Sequence, residues 1–144
     1  MSTLSDTSPW DRFPAPPCAR TLGWRLIAQE PARGFIRIGF QARPVFLNPA
    51  GYVQGGFLAA MLDDAMGPAV LAHTHGQMFT STISMTITYL APVRAGAVIV
   101  EANVVQLGRT IATIEASLLN ADGDEAARAI SSARLVPVGK LPVA

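Results

Sequence analysis

Two adjacent carboxylates, Asp63 and Asp64, lie in a stretch that is otherwise rich in alanine, leucine, methionine and glycine. Burial of an unpaired carboxylate is costly, so an aspartate in such a stretch either anchors the structure through a partner or acts on a ligand. If the stretch is helical, the two side chains point about 100° apart. We therefore do not expect them to share one role.

The two carboxylates differ in the residues that share their helical faces. Small residues beside Asp63 leave room for a ligand or for another chain, whereas larger apolar residues surround Asp64. We predict that Asp63 is functional and that Asp64 emerges at a helix edge as a structural cap or ion-pair partner. The small face consists of Gly56, Ala59, Ala60, Gly67 and Val70, and the larger one of Phe57, Met61, Pro68 and Leu71.

The segment from Asn48 to Gly56 leads directly into this helix. Its two final glycines, Gly55 and Gly56, would let another group approach the backbone amides at the helix start. Free N–H groups at a helix N-terminus attract negative charge, so they could hold a polarised carbonyl oxygen. The alternative is that the two glycines only make a sharp turn, which is what the pair alone favours.

Asp63 follows Gly55 by eight residues, which is about 12 Å along a helix. One chain cannot easily bring both groups to a single scissile bond. Two antiparallel helices in a two-fold dimer would place Gly55 of one chain beside Asp63 of the other. The spacing therefore predicts two equivalent sites shared between subunits.

Other chemical constellations are weak. His73 and His75 lack a nearby carboxylate cluster that would complete a metal site, so we expect a solvated loop and no bound metal. The single cysteine, Cys18, excludes an internal disulfide and a cysteine-rich metal site built by one chain. The sequence contains neither a Gly-x-Ser-x-Gly elbow nor a phosphate-binding loop, which disfavours an α/β-hydrolase and a nucleotide-triphosphate enzyme.

The elements that position these residues follow from hydrophobic periodicity. We predict a helix from Gly55 to about Ala72 and a long strand with one apolar and one hydroxyl-lined face over 79–89. Two strands precede the helix and four follow it as a meander. The remaining strands are predicted at 24–27, 34–40, 97–107, 110–119 and 127–138. Prolines in residues 9–17 predict an irregular lead-in, so we divide the chain into a lead-in, 1–19, and one domain, 20–144.

Composition narrows the class of protein. The chain has 144 residues, of which 50% are hydrophobic and 15% charged, with a net charge of +1. One compact domain that hides surface in a second copy is expected. The charge is too small to gather nucleic acid, and no apolar stretch is long enough for a membrane helix. The first residues lack a signal-peptide pattern, so we expect a cytoplasmic protein of the α+β class, with a long central helix wrapped by five or six antiparallel strands.

The motifs resemble those of hotdog-fold acyl-CoA thioesterases, in particular the phenylacetate-pathway (PaaI-like) group. The resemblance covers residues 20–138. It rests on the Asn48–Gly56 segment, Met61–Gly67, Tyr89–Pro92 and Gly108–Thr110. It implies a hotdog fold that pairs as a homodimer or a dimer of dimers.

By this resemblance, Asp63 is the general base or nucleophile, and the Gly55 N–H polarises the thioester carbonyl. Asn48 steadies the loop, and Thr82, with Ser81 as the near alternative, helps to hold the attacking water. Gln54 stands where many relatives have histidine. It can donate a hydrogen bond but cannot act as an acid or base.

The sequence therefore indicates an acyl-CoA thioesterase without a cofactor, since CoA is part of the substrate. Gly56, Ser81, Arg109 and Thr110 are candidates for substrate binding, with Arg109 either near the CoA phosphates or only a solvated turn charge. One alternative is a hotdog protein that binds acyl-CoA without hydrolysing it, which Gln54 favours and Asp63 opposes. Another is a hydratase or dehydratase, which would need an Asp/His pair that neither histidine is placed to supply.

Overall fold

The computed structural model describes residues 8–141 and has the predicted order of two strands, a long helix and four strands. The α-helices among these residues are α1 (Pro9–Arg12), α2 (Pro17–Leu22) and α3 (Gly55–His73). The six strands are β1 (Arg25–Glu30), β2 (Phe35–Ala42), β3 (Met78–Tyr89), β4 (Gly96–Leu107), β5 (Ile111–Leu119) and β6 (Glu125–Pro137). The boundaries of α3 and of the strands agree with the sequence pattern within a few residues.

The strands form one antiparallel sheet in the order β1-β2-β4-β5-β6-β3. The predicted four-strand meander is wrong, because β3 pairs with β6 and not with β4. Only β4, β5 and β6 form a meander. The chain leaving α3 reaches the far edge of the sheet, and β4 takes the place beside β2.

The helix α3 packs on one face of this open sheet and contacts β2, β3, β4, β5 and β6. This is the predicted α+β hotdog arrangement. Apolar side chains of α3 are buried on several sides of the helix, as expected for a helix without a wide polar face. Fully buried partners from both layers include Ile36, Ile38, Leu62, Met66, Val100 and Leu118. Within residues 8–141, no helix combines the length and apolarity needed to cross a membrane.

The helix contains a proline, Pro68, in its interior. A proline has no N–H, so the carbonyl of Asp64, four residues earlier, loses its helical hydrogen bond. The indole Nε1–H of Trp24 donates to that carbonyl oxygen at 2.9 Å. A side chain from the N-terminal region therefore supplies the hydrogen bond that the helix lacks.

The described part of the lead-in contains helices, whereas an irregular segment was predicted. Its prolines start helices, because Pro9 and Pro17 occupy the first helical positions, where the missing N–H has no partner to lose. Gly23 ends α2 in the left-handed conformation at φ 70°. The predicted lead-in and domain extend over residues 1–7 and 142–144, which lie outside the described residues.

A bulge in β3 changes which side chains face the helix. Thr82 pairs with Ala133 and Ser84 with Ser132, which leaves Ile83 as an extra residue. The alternation of β3 therefore changes phase at Ile83. The prediction of one continuous apolar face and one hydroxyl face is wrong. The residues of β3 that pair with buried β6 residues are Thr80, Thr82, Met85, Ile87 and Tyr89.

Candidate active site

The carboxylate of Asp63 lies exposed on α3 and receives a hydrogen bond from β3. The Thr82 hydroxyl donates to Asp63 Oδ1 at 2.8 Å. This bond is possible because the bulge leaves Thr82 on the helix side of the strand. It fixes one carboxylate oxygen and leaves the other available for a water or a substrate atom.

The other half of the predicted site lies at the start of α3. Gln54 is the residue before the helix, and its side chain makes no capping hydrogen bond. Phe57 N–H donates to Gln54 O at 2.9 Å, so the helical ladder begins beyond the two glycines. The N–H groups of the first helical residues, Gly55 and Gly56, have no acceptor inside the helix.

Asn48 organises the loop before the helix. Its Oδ1 accepts from the backbone N–H groups of Ala50 and Tyr52, at 3.0 and 3.1 Å. Its own N–H donates to Tyr52 O at 2.7 Å. These bonds close a compact turn, and this geometry suits the loop-steadying role predicted for Asn48.

Tyr89 holds the first residue of α3 in place. Its hydroxyl donates to Gly55 O at 2.8 Å. A Cβ on Gly55 would lie only 3.2 Å from the Tyr89 ring, which is why a glycine allows this close approach. Sequence reasoning did not assign Tyr89 a role, because its hydrogen bond to Gly55 joins the end of β3 to the start of α3, 34 residues apart in the chain.

Gly55 and Asp63 belong to one uninterrupted helix. Their backbones are therefore separated by about 12 Å within one chain. The structure brings Asp63 together with Thr82 and brings Gly55 together with Tyr89, as two separate halves. A single chain does not bring Asp63 and Gly55 to one atom.

Three further candidates, Ser81, Arg109 and Thr110, lie on β3 and in the turn after β4. Ser81 is exposed and follows the opposite face from Thr82. Arg109 and Thr110 are exposed in the turn between β4 and β5. The register of β5, β6 and β3 places this turn level with Ser81, two strands away, or about 10 Å across the sheet.

The two histidines do not join the site. His73 Nδ1 lies 2.6 Å from Pro31 O, so this half-buried side chain is fixed and not solvated as predicted. His75 is exposed beyond the end of α3. Among the residues that the structure describes, no cluster of histidine, cysteine and carboxylate side chains could hold a metal ion.

The prediction that Asp64 emerges at a helix edge as a cap or ion-pair partner is wrong. Its side chain is half-buried, and Oδ2 is buried without a hydrogen-bond partner among the described residues. Burial raises the pKa of Asp64 to about 6, and the neighbouring Asp63 charge adds to this. Residue spacing identified an apolar face correctly, but it gave no sign that α1 and α2 cover that face.

Comparison with known proteins agrees with this architecture. Residues 50–127 match the Thioesterase superfamily. A candidate thioesterase from Ralstonia eutropha JMP134, a phenylacetic acid degradation-related protein, is 32% identical; the alignment covers 88% of this chain and 95% of that one, with a TM-score of 0.82.

Two further solved structures share the fold at lower identity. The PaaI protein of the Escherichia coli phenylacetic acid degradation operon is 22% identical, covers 83% of each chain and has a TM-score of 0.75. A Streptococcus mutans protein bound to acetyl-CoA is 20% identical, covers 79% of this chain and 89% of that one, and has a TM-score of 0.70.

The family match spans more than half of the chain and includes both α3 and β3, which carry Asp63 and Thr82. The similarity to the Ralstonia protein extends over nearly the whole chain. The resemblance that the sequence motifs suggested is confirmed. The chain belongs to the thioesterase superfamily.

Proposed function

We propose that this protein hydrolyses acyl-CoA thioesters to a carboxylic acid and free CoA. The observation that carries the proposal is the exposed Asp63 carboxylate, oriented by Thr82 on a helical face of small residues. The structure of the Streptococcus mutans protein with acetyl-CoA supports CoA thioesters as the substrate class. Residues near Asp63 leave room for such a substrate, because Ala59 and Ala60 share its face and are partly exposed.

In the proposed reaction, the free oxygen of Asp63 takes a proton from water, and the water oxygen attacks the thioester carbonyl. Attack by Asp63 itself, followed by hydrolysis of the mixed anhydride, is the alternative route. In both routes the C–S bond breaks and CoA leaves as a thiolate, which then takes up a proton. Because a free thiol has a pKa of about 8.5, this leaving group needs little help from a general acid.

The Gly55 N–H is proposed to stabilise the negative oxygen of the tetrahedral intermediate. Since Gly55 and Asp63 of one chain lie about 12 Å apart, the proposal requires a homodimer in which each site uses both subunits. Tyr89 binds the carbonyl of Gly55 at the helix start, and Asn48 closes the turn in the loop before it. Gln54 is proposed to donate to the carbonyl or to the loop, and Gly56 is proposed to leave space for the substrate.

Asp63→Asn tests the catalytic assignment. The change removes a charge and keeps the volume, so we expect loss of most thiol release from an acyl-CoA in a folded protein. Asp64→Asn, one residue along the same helix, is the matched control and should cost far less. Near wild-type turnover of purified Asp63→Asn would disprove the role of Asp63.

Subunit mixing tests the shared site. Asp63→Asn subunits combined with Gly55→Val subunits form hybrid dimers that contain one intact site, so part of the activity should return. Demonstrated subunit exchange without recovery would show that each site lies within one chain.

Arg109 is proposed to contact the CoA phosphates. Arg109→Ala should then raise the KM for acyl-CoA and leave the KM for a short thioester without CoA unchanged. An equal effect on both substrates would show that Arg109 does not recognise CoA.

A second candidate is a protein that binds acyl-CoA without hydrolysing it. It is favoured by Gln54, because an exposed glutamine without a capping bond offers no acid or base. Acyl-CoA binding without thiol release by the wild-type protein would select this function.

A further inference from the structure

A cavity of about 390 Å³ lies between the N-terminal helices and α3. Its walls come from α1, α2 and the segment that joins them, from α3 and β3, and from Val138 and Leu141 after β6. Its lining residues include Trp10, Phe13, Trp24, Asp64, Leu71 and Phe79. The volume falls within the usual range of small-molecule sites.

Nearly all of the cavity wall is apolar. The two indole N–H groups are already used, since Trp10 Nε1 donates to Gln29 Oε1 at 3.1 Å and Trp24 Nε1 donates to Asp64 O at 2.9 Å. The two tryptophan rings therefore offer the cavity only apolar and π surface. Their centroids lie 5.2 Å apart.

Asp64 is the only residue with an ionisable side chain among the described residues that line the cavity. Its buried Oδ2 has no hydrogen-bond partner among residues 8–141. No described lysine, arginine or histidine forms an ion pair with Asp63 or Asp64. Two neighbouring negative charges therefore stand on one turn of α3 without a basic residue of this chain to compensate them.

A ligand in this cavity lies among aromatic rings and beside one carboxylate residue, Asp64, whose negative charge it must complement. An ammonium group supplies both hydrogen-bond donors and a positive charge. Aromatic faces attract cations as well as apolar groups. A purely apolar occupant would bury the carboxylate without a partner, which is unfavourable.

We propose that this cavity binds a hydrophobic organic cation, whose ammonium group contacts Asp64 and whose apolar body packs on Trp10 and Trp24. This site is distinct from the Asp63 half of the active site, because the two carboxylates point to different faces of α3. The proposal goes beyond the hydrolytic function and does not depend on it.

The chain provides its own reporter for the test. It contains two tryptophans, and both line the cavity, so ligand entry should change the intrinsic fluorescence. The probe is 2-phenylethylamine, titrated at about pH 8, where both the amine and the Asp64 carboxylate are charged. The comparison ligand is 2-phenylethanol, which keeps the ring and a hydrogen-bond donor but lacks the charge.

We expect a saturable fluorescence change with the amine, at an affinity about tenfold or more above that of the alcohol. Asp64→Asn should remove this preference to within about threefold, because an amide cannot compensate a cation. Asp63→Asn is the matched control and should keep most of the preference. Circular dichroism of each variant verifies that it is folded.

Three results would overturn the proposal: no saturable change with the amine, equal or tighter binding of the alcohol to the wild-type protein, and an unchanged preference in Asp64→Asn. Acyl-CoA hydrolysis is measured separately on the same preparations. A protein without thioesterase activity that still binds the amine would contradict the proposed function alone, and an active enzyme that does not bind the amine would contradict this inference alone.

Discussion

The unpaired carboxylate of Asp64 predicts an unusual effect of pH on stability. Burial raises the pKa of Asp64 to about 6 in the folded protein, whereas an exposed aspartate in the unfolded chain has a pKa of about 3.9. Between these values the folded state holds the proton more tightly. This group therefore lowers the free energy of unfolding as pH rises from about 4 to about 6.

The magnitude follows from the difference between the two pKa values. Without solvent screening, this difference would lower the free energy of unfolding by about 3 kcal/mol above pH 6. Because the side chain is only half-buried, solvent screening reduces this cost, and we expect about 1–2 kcal/mol. Asp64→Asn removes the charge at nearly constant volume and should raise the free energy of unfolding by this amount at neutral pH.

Urea denaturation at constant protein concentration measures this difference, since self-association changes apparent stability. Wild type and Asp64→Asn should be nearly equally stable at about pH 4, and the variant should be more stable at about pH 8. Asp63→Asn is the control. It should raise the free energy of unfolding by less than Asp64→Asn does, because it removes only the Asp63 charge, which is the smaller cause of the Asp64 pKa shift. A stability difference between wild type and Asp64→Asn that does not change from about pH 4 to about pH 8 would refute the reasoning.

Three further predictions concern individual hydrogen bonds. Tyr89→Phe keeps the ring but removes the bond to Gly55 O, so kcat should fall about twofold to tenfold; an unchanged kcat would mean that the bond does not position the helix start. Gln54→Ala should lower turnover about twofold to a hundredfold and Gln54→His should preserve it, whereas unchanged turnover of Gln54→Ala would make the side chain a bystander. Trp24→Phe should cost about 1–3 kcal/mol in urea denaturation and less in a Pro68→Ala background, where the helix regains its N–H; equal costs in both backgrounds would contradict this explanation.

Local patterns predicted the elements of this fold well, because α3 is rich in alanine, leucine and methionine and a strand such as β5 alternates between buried and more exposed residues. They did not predict the place of β3, since its sequence is equally compatible with pairing to β4 or to β6. That choice depends on contacts between residues far apart in the chain, such as Thr82 with Ala133. The prediction of an irregular lead-in failed for a different reason. Pro9 and Pro17 stand at the first position of a helix, where proline is favoured, although it disrupts a helix interior.

The candidate site was predictable where it depends on residues of one element. The small residues around Asp63 and the glycines before α3 were visible in the sequence. The environment of Asp64 was not, because it depends on Trp24 and Trp10, which are distant in sequence and reach α3 only in the folded chain. The role of Tyr89 was not predictable because it depends on a contact with Gly55, 34 residues away in the chain, and the bulge was not predictable because one extra residue in a strand leaves no compositional mark.

The bulge at Ile83 also constrains how another strand could extend the sheet. β3 is an edge strand, so its outer backbone groups are available to a neighbouring chain. A regular incoming strand can match the spacing of these groups on only one side of Ile83 at a time, because the extra residue interrupts the ladder. Continuous pairing along the whole edge requires a compensating irregularity at one matching position. The bulge therefore selects a register for assembly and disfavours indiscriminate growth of the sheet.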